Sequence, residues 1–254
     1  MSEYNFKRIN GIKTFFKLEG TGNPIILLHG WGTSHKSLIS LFNFFSSRQQ
    51  TLAVDFPGFG QSGFPESDWS VDDYMHWLIA LMDEMKIAKA DVLGHSFGGR
   101  VAIKLATSFP ARVNRLVLID SAGIRQKVRP NIGRFLIKAI RPLESILSEK
   151  SYKKLRLNFY DLIGSTDYLK TGKLKGTFQK IITEDLEPLL KNIQQKSLLI
   201  WGEKDKDTPL GDAKIMHAQI PNSQLIIIPK TGHYPFLEQE DLVLNCLESF
   251  FNEG

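Results

Sequence analysis

Six short stretches of the chain are almost wholly apolar: Ile25–Leu28, Leu52–Val54, Ala90–Leu93, Leu116–Ile119, Leu198–Trp201 and Leu225–Ile228. Each is short for a helix and lacks the alternation of a half-exposed strand. They therefore predict strands covered on both faces, as in a parallel sheet. Asn10-Gly11, set between two alternating stretches, predicts a hairpin ahead of them. Helical periods fill the gaps. Ser70 with Asp73 three residues on is a capping-box signature, and Val71, Tyr74, Leu78, Leu81, Met82 and Met85 follow at helical spacing. A second helix runs from Gly98 to Ser108 and stops before Pro110. Leu242, Val243, Cys246, Leu247 and Phe250 place the single cysteine on the last helix as a buried thiol.

Strands alternating with helices predict an α/β fold, a doubly wound, mostly parallel sheet behind an antiparallel hairpin. Residues 122–185 break the alternation. They read as several helices separated by Pro, Gly and Ser, inserted as a cap, or lid, between the strands at Leu116–Ile119 and Leu198–Trp201. Residues 1–121 and 186–254 then form the core. Phe135, Leu136, Ile140, Leu143, Ile146 and Leu147 recur at helical spacing and are expected to seal the cap onto the body.

Composition narrows the class. A chain of 254 residues with 42% hydrophobic residues can bury a large core and is not disordered. One cysteine excludes a disulfide scaffold and a multi-cysteine zinc site, and fits a reducing compartment. Residues 1–10 hold no signal-peptide run and no stretch reaches transmembrane length, so the expectation is a cytoplasmic protein with no integral membrane segment. The net charge of +5 first suggests an anionic polymer as partner. Its placement changes that. The insertion holds fourteen basic and six acidic residues, a net of +8, which leaves −3 on the rest. No nucleic-acid motif accompanies it, so nucleic acid is dropped as a partner. A solvated outer face of the lid is expected, with steering of an anionic substrate as the sharper alternative.

The chemistry centres on Gly94-His95-Ser96-Phe97-Gly98-Gly99, which follows one predicted strand and opens a predicted helix. So sharp a turn needs glycine on either side and holds Ser96 above the sheet edge. The Phe97 N–H, at the helix start, then points where an oxyanion would form. Serine needs a base. Of six histidines, His233 is the best placed, just past the last strand in Thr231-Gly232-His233-Tyr234-Pro235. His76 and His217 sit in helical patterns, and the His95 side chain is expected to point away from the serine. The base needs a carboxylate. Asp205, after the penultimate strand, is favoured; Asp120, at the end of its own strand, is the alternative, and Asp207 is expected to face solvent. Glu203, Asp205 and Asp207 alternate with lysines, which argues for a solvated loop and no metal site. The loop His29-Gly30-Trp31-Gly32 can bring the Trp31 N–H to the same oxyanion, with His29, Gly30, Tyr234 and Phe236 as candidate pocket residues.

These motifs, HGWG at 29–32, DFPGFGQS at 55–62, GHSFGG at 94–99, WGEKD at 201–205 and GHYPFLEQ at 232–239, resemble the α/β-hydrolase fold superfamily over essentially the whole chain. The resemblance implies Ser96 as nucleophile, His233 as base and then acid, Asp205 as its partner, and Trp31 and Phe97 as oxyanion donors. It implies a carboxylesterase-like enzyme acting on a small carboxylic ester, thioester or related carbonyl compound through an acyl-enzyme, with no cofactor. Relatives with aspartate as nucleophile, the haloalkane dehalogenases and epoxide hydrolases, are excluded by Ser96. Two alternatives remain. One is a carbon–carbon hydrolase of ring-cleavage products, although such enzymes usually carry Asn where His95 stands. The other is a slow-turnover small-molecule receptor.

Overall fold

The computed structural model describes residues 3–125 and 172–252. Eight strands form one sheet: β1 (Glu3–Ile9), β2 (Ile12–Glu19), β3 (Pro24–Leu28), β4 (Gln50–Val54), β5 (Ala90–His95), β6 (Val113–Ile119), β7 (Lys196–Gly202) and β8 (Ser223–Ile228). Their order is β1-β2-β4-β3-β5-β6-β7-β8. β1 pairs antiparallel with β2, and β2 with β4; every later pairing is parallel. The first turn is the predicted hairpin, with positive φ at both Asn10 (49°) and Gly11 (80°), as the twist of a two-residue loop requires.

The helices of eight residues or more, numbered among the described residues, are α1 (Ile39–Ser46), α2 (Val71–Glu84), α3 (Phe97–Ser108), α4 (Lys175–Thr183), α5 (Leu210–Gln219) and α6 (Glu240–Asn252), and a single turn, Pro235–Glu238, precedes α6. α2 starts on the predicted capping box: Ser70 and Asp73 each satisfy the other's backbone N–H. Alternate residues of the central strands point to opposite faces and build two cores. Ile26, Leu28, Val92 and Leu118 pack with α2 and α3. Ile25, Leu27, Leu93 and Ile119 pack with α1 and α6. The order reverses around β3, since β4 lies on one side and β5 on the other. A crevice opens at the carboxyl ends of strands at such a switch point.

Two readings are corrected. β8 is the last strand of the sheet order, and of its residues only Ile228 is buried, because it has a strand neighbour on one side alone among the described residues. Cys246 is only half-buried; the face α6 turns to the core is Val243, Leu247 and Phe250, with Cys246 at its margin.

Of the insertion, the described residues hold a short 3-10 turn (Gly172–Leu174) and α4. α4 buries Thr177 and Ile181, and Thr177 Oγ1 accepts the Trp69 N–H at 2.9 Å. The Leu186 N–H donates to the Gly123 carbonyl at 2.9 Å, which ties the segment after β6 to the segment before β7. The stretch carrying Phe135, Leu136, Ile140, Leu143, Ile146 and Leu147 lies outside the described residues. Among the described residues no helix is long and apolar enough to cross a membrane.

Candidate active site

Ser96 sits between β5 and α3 with φ 52° and ψ −113°, a backbone that L-residues rarely adopt. The surroundings enforce it. The Ser96 N–H donates to Ile119 O at 3.1 Å, and its carbonyl accepts the N–H groups of Gly99 and Ala122, both at 3.0 Å. A Cβ at position 98 would collide with the Leu28 carbonyl, so glycine is needed where the start of α3 crosses the end of β3. Phe97 opens the helix, leaving its N–H without an intrahelical acceptor.

Three side chains from three loops meet here. His233 Nε2 lies 2.9 Å from Ser96 Oγ, and His233 Nδ1 lies 2.8 Å from Asp205 Oδ2. With a proton on Nδ1, the ring donates to Asp205 and accepts from the Ser96 hydroxyl. Asp205 Oδ1 accepts the N–H groups of Asp207 (2.8 Å) and Thr208 (3.1 Å), and the Thr208 hydroxyl donates to Oδ2 at 2.6 Å. Burial pushes the Asp205 carboxyl up, but the hydrogen bond and charge of His233, with hydrogen bonds from Asp120 and Thr208, outweigh it and hold the group at about 2. Asp205 is therefore ionised at any working pH. Such a row can pass the hydroxyl proton to imidazole while the carboxylate stabilises the imidazolium.

Asp120 does not compete with Asp205 for the histidine from a separate position; it lies in the same cluster. Among the described residues, Asp120, Asp205 and His233 are the group whose ligand atoms come close, within 4.8 Å of one another. Burial, and then the hydrogen bond and charge of Asp205, push Asp120 up to about 9. The imidazole Nδ1 is bonded to Asp205, whose other oxygen is taken by two backbone N–H groups. Asp207 is exposed, as are His76 and His217.

The loop after β3 holds Trp31, which stacks edge-on with Phe59 (4.8 Å) and Phe97 (5.5 Å) and lies 5.0 Å from Phe178 of α4. Two of the candidate pocket residues lie in the packed interior. His29 is fully buried; its Nδ1–H donates to Gly30 O at 2.7 Å and its Nε2 accepts the Phe56 N–H at 3.1 Å. It ties two loops together and offers no surface to a ligand. Burial lowers its pKa to about 4. Phe236 is also fully buried, 5.0 Å from the His95 ring. Gly30 is buried beside His95 and Ser96, and Tyr234 is half-buried beside His233. Sequence reasoning missed Thr208, whose only signal is its place three residues after the acid, the spacing of a side-chain-capped turn. It also missed His35, whose N–H and Nδ1–H donate to Asp55 Oδ1 at 2.7 and 2.8 Å.

A hydroxyl, an imidazole and a carboxylate in one row at the carboxyl edge of a doubly wound sheet, the hydroxyl on a strained strand-to-helix turn, define the α/β-hydrolase class. The chain belongs to the α/β-hydrolase fold family, whose family model matches residues 23–240. It is 29% identical over 245 residues to the pimeloyl-(acyl-carrier protein) methyl ester esterase of Legionella pneumophila (strain Paris), covering 91% of this chain and 96% of that one. It is 26% identical over 262 residues to the uncharacterized hydrolase YugF of Bacillus subtilis (strain 168), covering 95% of each. Among solved structures it is 25% identical to an acetate-bound mutant of the meta-cleavage product hydrolase of Pseudomonas fluorescens IP01, with a TM-score of 0.76 over 98% of this chain and 97% of that one.

Proposed function

We propose that the protein is a serine hydrolase that cleaves a small carboxylic ester or thioester through an acyl-enzyme. The observation that carries this is the Ser96–His233–Asp205 row, with heavy-atom separations of 2.9 and 2.8 Å. His233 takes the Ser96 proton as Oγ attacks the substrate carbonyl. The tetrahedral oxyanion is held by the Trp31 and Phe97 N–H groups and the positive end of α3. His233 then protonates the leaving group, and water repeats the sequence to free the acid. No metal or cofactor enters this scheme. Residues 122–185 act as the cap and set the acyl preference. The methyl ester esterase relative supports the ester reading.

The similarity to a meta-cleavage product hydrolase supports a second reading, hydrolysis of a carbon–carbon bond next to a ketone. One panel separates the two: short- and medium-chain esters, a thioester, and a ring-cleavage dienoate, assayed with wild type and Ser96→Ala, with intact mass to catch the acyl adduct. Ester turnover that is lost in Ser96→Ala, with an adduct on the wild type, is the expected result. Turnover of the dienoate alone would replace the ester reading. Labelling by a fluorophosphonate without turnover of any member would replace both with a receptor.

A further inference from the structure

Asp120 follows β6 directly and is fully buried, yet the mechanism above gives it no part. Its backbone is held in the left-handed region, φ 41°, where only an over-determined residue other than glycine stays. The Asp120 N–H donates to Ile200 O at 3.0 Å, Oδ1 accepts the Gly202 N–H at 2.9 Å, and the Thr208 hydroxyl lies 3.0 Å from its carbonyl oxygen. Oδ2 is buried and, among the described residues, meets no N–H or hydroxyl donor. One carboxylate oxygen of Asp120, one of Asp205 and one ring nitrogen of His233 lie within 4.8 Å of one another, so the two carboxyl groups are neighbours.

Two carboxyl groups hydrogen-bond only when one of them carries a proton. Asp205 already accepts from the Asp207 and Thr208 N–H groups, the Thr208 hydroxyl and His233 Nδ1–H. Asp120 accepts the Gly202 N–H alone. The better-solvated carboxyl keeps the charge, so the proton belongs to Asp120.

We propose that Asp120 is a positioning residue of the triad: as a neutral carboxylic acid it donates its Oδ2–H to the Asp205 carboxylate and fixes the acceptor that orients His233. This rests on the triad reading above. The titratable groups facing Asp120 are Asp205 from the loop after β7, and His233 and Glu238 from the segment after β8. The two carboxylates oppose its ionisation, while the Gly202 N–H favours it. When Asp120 does lose its proton, near pH 9, two carboxylates crowd His233. Asp205 then loses the Oδ2–H donor and is repelled by a like charge, so the acceptor that orients His233 is no longer held in place and activity falls.

The test compares wild type, Asp120→Ala and Asp120→Asn by kcat/KM on one ester across about pH 6 to 10, each first checked for fold by circular dichroism. Asp120→Ala should lose about 10- to 100-fold in kcat, what one hydrogen bond to a charged group is worth. Asp120→Asn keeps a donor for Asp205 and an acceptor for Gly202. It should recover most of that loss and show no alkaline fall near pH 9. An asparagine variant as poor as the alanine one, or one that keeps the alkaline fall, overturns the proposal. A second readout needs no activity. In Ser96→Ala, the infrared spectrum at neutral pH should contain a protonated-carboxyl C=O band that disappears when Asp120→Asn is added. Its absence overturns the proposal even with the triad intact. Its presence in a protein that turns over no ester upholds the protonated Asp120 and removes the triad reading instead.

Discussion

His95 Nε2 lies 2.8 Å from the carbonyl oxygen of His233, so the residue before the serine holds the backbone of the residue that bonds the serine. The two strand ends, β5 and the loop after β8, are joined by this contact, and the two rings lie 4.9 Å apart. Burial, and then the charge of His233, lower His95 to about 3, so it is a neutral donor at every working pH. His95→Phe leaves the carbonyl without its donor and should cost about tenfold in kcat. His95→Gln, whose amide reaches the same point, should restore most of it. Because the donor does not titrate, the deficit should be the same at about pH 6 and pH 8. A His95→Phe enzyme with wild-type kcat would show that His233 is placed without this contact.

Glycine at position 98 is required by contact, and glycine at 211 is not. A Cβ at 98 runs into the Leu28 carbonyl, which belongs to a buried strand and cannot move aside, whereas a Cβ at 211 meets nothing within 4 Å. Gly98→Ala should destabilise by about 1–3 kcal/mol and displace Ser96. Gly211→Ala, near the start of α5, should stabilise by about 0.5–1 kcal/mol. Urea unfolding of the two variants should move the midpoints in opposite directions; a shift of the same sign would refute the steric account.

Asp55 anchors the loop that carries Phe56 and Phe59. Burial raises its pKa, but the His35 side-chain and backbone donors and the Gln61 N–H (2.8 Å) outweigh that, and the carboxyl lies below its ordinary value. A lowered carboxylate stabilises the fold above the unfolded pKa, about 3.9, and that stability is lost as pH falls through the folded value. Asp55→Asn removes the charge and turns an amide toward the Gln61 N–H. It should cost about 1.5–3 kcal/mol at pH 7, with the gap to wild type closing as the pH is lowered. A gap independent of pH would mean that the charge is not what matters.

The residues legible in the sequence were those whose local chain geometry does the positioning. Ser96 stood out because a strand-to-helix turn this sharp needs small neighbours, and Asn10-Gly11 because a two-residue hairpin needs positive φ. What stayed illegible depended on neighbours distant in sequence. His29 and Phe236 read as pocket residues because they flank motif residues; that they are fully buried is set by Phe56 and His95. β8 read as a covered strand because its side chains are apolar, and only the sheet order makes it an edge. Asp120 and Asp205 read as rivals because each follows a strand. Pairing β6 beside β7 puts both carboxyls in one cluster, where one is charged and the other is not.

That division of charge also predicts a stability effect opposite to the catalytic one. Asp120 has a folded pKa of about 9 and an unfolded pKa of about 3.9. Below the unfolded value the proton is bound in both states and the acid's hydrogen bonds contribute fully. Between the two values the folded chain holds a proton that the unfolded chain releases, so stability falls as pH rises, by at most about 1.4 kcal/mol per unit. Asparagine keeps the hydrogen bonds without the proton. Asp120→Asn should therefore gain on wild type steadily from about pH 5 to pH 8, even where its turnover is no better. Paired urea unfolding at the two pH values reads the difference, in which every other titrating group cancels. A constant difference would mean that the folded protein holds no extra proton at Asp120.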